Sequence, residues 1–171
     1  MELIYVHHVK KRSIRCFIAT VSDTRTVETD KSGKLIRELL EQNEHKCVNH
    51  VIVPDEMDEI ERIIQQGIKN EQVEAILLTG GTGISVRDVT IEVVEKNIEK
   101  EIPGFGEIFR MLSYTEDIGS AAIMSRAIAG VKNRKVVFAM PGSSGAVKLA
   151  MNKLILPEIL HIIHELHKDI K

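Results

Sequence analysis

Apolar positions along the chain follow two rhythms. Residues 14–21, 75–79 and 135–140 are short, mostly apolar runs with the length of strands, the first β-prone and suited to burial on both faces, and residues 48–53 read as a further strand. Between them, apolar residues recur every three to four positions. That spacing predicts a helix from about Asp30, with Leu35, Ile36, Leu39 and Leu40 on one side. A second helix is predicted from about Asp55, with Met57, Ile60, Ile63, Ile64 and Ile68 turned inward, after Pro54 stops the preceding strand. Through residue 83 the order is strand, helix, strand, helix, strand, glycine loop. This is a parallel α/β arrangement joined by right-handed crossovers.

The middle of the chain reads as more helical, over residues 90–96, 105–112 and from about 121. The charge-rich stretch 95–101 reads as a mixed-sign helix face. After the strand at 135–140 comes a turn, Pro141-Gly142-Ser143-Ser144-Gly145. Residues 146–154 and 157 onward then form two helices, or one broken near Pro157. Residues 13–171 read as one domain. Residues 1–12, ending in Lys10-Lys11-Arg12, are an extension that either serves subunit contacts or frays.

Composition narrows the picture. The 171 residues are 43% hydrophobic but only 4% aromatic, with no Trp, so the core must be aliphatic, which suits a parallel sheet under helices. A net charge of −2 gives no global positive field and argues against a nucleic-acid partner. An anionic ligand would need a local site of backbone amides and a few placed cations. Cys16 and Cys47 form no C-x-x-C pair and lie in predicted strands, as reduced core cysteines do. No apolar run approaches the roughly 20 residues that span a bilayer. The first residues lack the basic start and long apolar core of a signal peptide, so the expected location is cytoplasmic.

Candidate chemistry gathers at strand ends, where open parallel sheets bind their ligands. Three polar turns fall there: 22–26, 79–88 and 141–145. In Thr79-Gly80-Gly81-Thr82-Gly83, glycines let successive N–H groups approach one anion, and two threonines add hydroxyls. The loop is neither a Walker A sequence nor G-x-G-x-x-G, and a plain strand-to-helix turn remains open for it. Asp88 and Thr90 either cap the next helix or, for Asp88, hold Mg²⁺ beside a phosphate; Asp55 carries the same two readings. His161, His164 and His167 share one helix side without the ligand set of a zinc site, and read as a solvated or subunit-facing stripe. Ser143-Ser144 lacks the elbow of a serine hydrolase.

In order and spacing, Thr79–Gly83, Arg87-Asp88-Val89-Thr90, Pro103-Gly104-Phe105-Gly106-Glu107, Ser125-Arg126 and Met140-Pro141-Gly142 together resemble the molybdopterin-binding family, over residues 13–160. The resemblance implies a three-layer α/β/α sandwich with a mostly parallel central sheet, self-associating as a trimer or hexamer. It implies binding of molybdopterin, its phosphate near Thr79, Gly80, Gly81, Thr82 and Gly83, with Glu107, Ser125 and Arg126 in the same site. Active relatives transfer AMP from Mg-ATP to that phosphate and release pyrophosphate. Their two important aspartates fall on Asp88 and Asp55, as catalytic and Mg²⁺-holding residues. The nucleotide would then meet Ser22, Asp23, Thr24, Arg25, Pro141, Gly142 and Ser143. Many adenylylating relatives carry Asn after the last Pro-Gly, where this chain has Ser143. The alternative is therefore a non-catalytic protein that holds or delivers molybdopterin.

Overall fold

A computed structural model of the chain describes residues 11–169. Six strands form one sheet in the order β2-β1-β3-β6-β5-β4. The strands are β1 Arg15–Val21, β2 Lys46–Val53, β3 Ala75–Thr79, β4 Lys100–Glu101, β5 Ile128–Lys132 and β6 Lys135–Met140. β2, β1, β3 and β6 run parallel, and β5 is antiparallel to both β6 and β4. The helices are α1 Lys31–Gln42, α2 Met57–Lys69, α3 Thr90–Asn97, α4 Pro103–Glu116, α5 Ser144–Ala150 and α6 Leu156–His167.

Alternation along the central strands assigns each residue to a face. Cys16 and Ile18 of β1, Leu77 of β3 and Phe138 of β6 pack under α1, α4, α5 and α6. Phe17, Ala19 and Val21, with Ile76, Leu78 and Val137, pack under α2 and α3. The result is the three-layer α/β/α sandwich expected. Phe105 packs its ring edge-on to Phe138 at 5.2 Å, seating α4 on the sheet. Cys16 and Cys47 oppose each other on neighbouring strands as free thiols, and burial pushes the Cys16 thiol far up.

The structure corrects the sequence reading at the antiparallel end. Lys100 and Glu101 belong to an edge strand rather than to a helix face, and residues 128–132 form a strand the pattern did not predict. β5 and β6 make a hairpin with a two-residue turn, in which Asn133 and Arg134 take φ of 48° and 60°. Positive φ at both positions matches the twist of such a hairpin, but the usual glycine signal is missing. The segment from 121 is part of a short 3₁₀ turn, Gly119–Met124. Met57 is exposed at the start of α2 rather than turned inward. The chain does not break near Pro157: a π-helical turn, Met151–Ile155, joins α5 to α6 without leaving the helical region, and this wider turn directly before Pro157 accommodates a residue that lacks an N–H. Residues 1–10 of the predicted extension lie outside the described residues. Among the described residues no helix is long and apolar enough to cross a membrane.

β1 connects outward to β2, and the chain then returns to β3 on the other side of β1. This reversal puts a crevice beyond the carboxyl ends of β1 and β3, where doubly wound sheets bind ligands.

Candidate functional site

A cleft of about 440 Å³ fills that crevice. Thr20, Val21, Ser22 and Arg25 line it from β1 and its loop, and Ser32 from α1. Thr79, Gly80, Gly81, Thr82 and Gly83 form its centre, with Asp88 beside them. Ser125 and Arg126 enter from the approach to β5, and Pro141 and Gly142 from the end of β6. Three distant turns thus meet at one cleft.

The glycine loop needs its glycines. Gly80 has φ of 97°, and a side chain there would meet the Val21 carbonyl oxygen at 2.2 Å. Gly81 has φ of 62°, and its missing Cβ would lie 2.4 Å from Thr90 Oγ1 and 2.7 Å from Asp55 Oδ1. The loop is anchored through carbonyls. The Thr90 hydroxyl donates to Gly80 O at 2.9 Å, and the Thr90 amide to Gly81 O at 2.9 Å. Arg126 Nε donates to Thr82 O and Gly83 O, both at 3.0 Å, and Nη2 to Asp88 O at 3.1 Å. Glu92 completes the guanidinium's partners, and Arg126 in turn holds the Glu92 carboxyl below the usual carboxylate range. The Gly80 amide donates to Met140 O at 3.0 Å, so the amides of Gly81, Thr82 and Gly83 are the ones left to face a ligand.

Arg25 is held loosely by contrast, with Nη2 3.4 Å from Gly142 O and Nη1 4.0 Å from Asp30. Arg87 does not line the cleft; it pairs with Asp23 at 2.9 Å and Glu56 at 2.8 Å.

Neither aspartate caps a helix through its side chain: the cap positions of α2 and α3 are Glu56 and Val89. Asp88 Oδ2 accepts from the Ser85 amide at 2.9 Å and the Ser85 hydroxyl at 2.7 Å. Asp55 lies behind Gly81, and its amide donates to Asp23 Oδ1 at 2.9 Å. Burial pushes the Asp55 carboxyl upward; the Val89 amide opposes this, and the Asp88 and Asp23 charges add to it. Its Oδ1 is buried without a hydrogen-bond partner among the described residues. A hard divalent cation fits such an oxygen, and would offset the neighbouring carboxylates. Among the described residues no three His, Cys, Asp or Glu cluster as a complete cage. Mg²⁺ does not require one, since one or two carboxylates plus phosphate oxygens suffice.

The remaining predicted residues sit farther out. Asp23 carries the Arg87 pair, and the Asp55 amide and Arg87 hold its carboxyl below the usual range. The Thr24 amide donates to Ser22 Oγ at 3.3 Å, shaping the loop. Ser143 Oγ accepts from Ala146 N at 3.2 Å and caps α5, which leaves its own proton to donate. Glu107 is exposed on α4 and does not line the cleft. Sequence reasoning missed Thr20 and Ser32 on the floor, and Ile118, Ala121 and Met124 on the apolar wall. Ile118, an apolar residue between two predicted helical segments, was the available signal for that wall.

Fold and site define a class: an open α/β-sheet protein whose switch-point cleft presents a glycine loop beside carboxylates. The chain belongs to the molybdopterin-binding family, since residues 17–161 match the family described as "Probable molybdopterin binding domain". It is 62% identical over 156 residues to Molybdenum cofactor biosynthesis protein B of Bacillus subtilis (strain 168), covering 91% of this chain and 92% of that one. A crystal structure of Molybdenum cofactor biosynthesis protein B superposes with a TM-score of 0.91 at 58% identity, over 92% of this chain and 98% of the other. The tungsten cofactor synthesizing protein MoaB from Pyrococcus furiosus matches with a TM-score of 0.80 at 37% identity, over 91% and 98%.

Proposed function

We propose that this protein acts in molybdenum cofactor biosynthesis, binding molybdopterin and adenylylating its phosphate with Mg-ATP to release pyrophosphate. The observation that carries the reading is Asp55 Oδ1, buried behind the glycine loop without a hydrogen-bond partner among the described residues. A protein that only held a phosphorylated ligand would gain nothing from two carboxylates near that anion, one of them with an oxygen left without a hydrogen bond among the described residues. They become favourable when a cation and a second set of phosphates share the site.

The amides of Gly81, Thr82 and Gly83 would hold the molybdopterin phosphate, in a loop kept in shape by Arg126 and Thr90. Asp88 and Asp55 would hold Mg²⁺, which supplies charge neutralisation on the nucleotide phosphates. Arg25, with Ser22, Pro141 and Gly142, would receive the nucleotide on the opposite side. A phosphate oxygen of the pterin attacks the α-phosphorus of ATP and forms a new P–O–P bond. The bond from the α-phosphorus to the bridging oxygen breaks, and pyrophosphate leaves with that electron pair. Such chemistry asks the protein for position and charge rather than for a nucleophile. The apolar wall of Ile118 and Met124 suits the ring system.

Self-association belongs to the same reading. It is supported by the exposed Met111 and Tyr114 of α4 and Ile123 of the 3₁₀ turn. The last helix is a weaker candidate than its sequence suggests. Ile159 and Ile163 are buried, while Leu160, Ile162 and Leu166 pack against the same core. Sedimentation of the native protein should show a trimer or hexamer, and a monomer would refute this.

The test of the activity is pyrophosphate release from purified protein given molybdopterin, ATP and Mg²⁺. Release that requires all three supports the enzyme. Tight pterin binding without release leaves a carrier.

A further inference from the structure

Beneath the cleft lies a carboxylate that the proposed reaction does not use directly. Asp30 is fully buried at the start of α1. Its Oδ2 accepts from the Thr20 hydroxyl at 2.6 Å and contacts His50 Nε2 at 2.9 Å. Its Oδ1 accepts from the Gly33 amide at 2.9 Å and the Ser32 hydroxyl at 3.3 Å, and faces Arg25 at 4.0 Å. Gly33 is needed for this assembly, because a Cβ there would stand 2.2 Å from His50 Nε2. Three of these partners, Thr20, Ser32 and Arg25, line the cleft, whereas His50 opens onto a separate groove beside Lys34 and Arg37.

We infer that Asp30, braced by His50, is a positioning residue that fixes Thr20, Ser32 and Arg25 for a phosphate-bearing ligand in the cleft. This rests on the nucleotide assignment above. A carboxylate without access to solvent is tolerated because it is saturated with donors. Burial works against its charge, but the bonds from Thr20, Gly33 and His50 outweigh this and keep the carboxyl below the usual range. Asp30 therefore stays ionised and takes the protons of the Thr20 and Ser32 hydroxyls, which leaves their oxygens as acceptors for a donor on the ligand, such as a ribose hydroxyl, while Arg25 is left to meet the phosphate. It also offers Arg25 a weak counter-charge that a ligand phosphate can displace. The general rule is that precise sites need locked supporting side chains.

The test compares Asp30→Asn, His50→Gln and His50→Leu by calorimetric titration of the full chain with ATP and Mg²⁺. Asparagine caps a helix as well as aspartate does, so α1 is kept while the charge is lost. Asp30→Asn should weaken ATP about tenfold, the loss of roughly one charge-assisted bond. In turnover it should raise KM for ATP with kcat within about threefold, a pattern general destabilisation does not give. His50→Leu should weaken ATP about threefold, while His50→Gln, which restores a donor to Asp30, should stay near wild type. Wild-type affinity in a folded Asp30→Asn protein overturns the inference. Should that variant not fold, equal affinities for the two His50 variants overturn it. If the wild-type chain binds no ATP, the nucleotide reading fails. The same series is then read with molybdopterin, where unchanged affinities overturn the positioning role.

Discussion

Two arginines line the cleft, and they are spent differently. Arg126 donates to three backbone carbonyls and pairs with Glu92, so little of its hydrogen-bonding capacity is left. Arg25 makes one long contact to Gly142 O and faces Asp30 across 4.0 Å. A guanidinium saturated by its own backbone shapes a loop, whereas an underused one can meet a ligand's anion. Residue type and proximity to the cleft do not separate these roles; the partner count does.

This contrast can be broken at several points. The largest effect is expected from Asp88→Asn, which keeps the shape of the Arg126 side and removes only charge. Pyrophosphate release should fall on the order of 10²–10³-fold while molybdopterin affinity changes less than about threefold. Equal loss of both would make Asp88 part of pterin binding or folding. Gly80→Ala attacks shape instead, placing a Cβ against Val21 O at a φ of 97°. It should destabilise the fold by about 3 kcal/mol in denaturant titration and abolish pterin binding.

The arginines themselves come next. Arg126→Ala should cost about 2 kcal/mol of stability, since three carbonyls lose a charged donor. Arg25→Ala should leave stability within about 0.5 kcal/mol but weaken ATP about tenfold. The reverse pattern would exchange the two roles. The smallest effect is a control away from the cleft. His45 is buried, which pushes its pKa down, and its Nδ1 accepts from the Ile14 amide at 3.2 Å. The folded state keeps it neutral while the unfolded chain takes up a proton near pH 6.5. Its contribution is complete above that pH and is lost as pH falls toward the depressed folded value. Wild-type stability should therefore decline more steeply below pH 6.5 than that of His45→Asn, with ligand binding unchanged between the two proteins.

In the parallel half of the sheet β1, β3 and β6 were legible because each is a mostly apolar run closed by a polar turn, whereas β2 carries Asn49 and His50 and was marked by Pro54 at its end. β3 and β6 were read to the residue. The antiparallel end was not. β5 is interrupted by Gly130, β4 has only two charged residues, and the turn at Asn133-Arg134 pays its positive φ without glycine. At the cleft, the motifs located the glycine loop, Asp88, Ser125, Arg126 and Gly142. They could not show that Arg87 is drawn off by Asp23 and Glu56, or that Glu107 faces solvent, because both depend on side-chain direction. Asp30 read only as a helix start; its partners Thr20 and His50 come from two other strands.

The central claim is that Thr79–Gly83 takes the phosphate of molybdopterin. The direct measurement is a calorimetric titration of the protein with molybdopterin and with its dephosphorylated form. The account predicts at least about a hundredfold weaker binding without the phosphate, equivalent to losing several amide bonds to a charged group. Equal affinity for the two forms would contradict it, and would move the pterin's anchor from the glycine loop to the apolar wall.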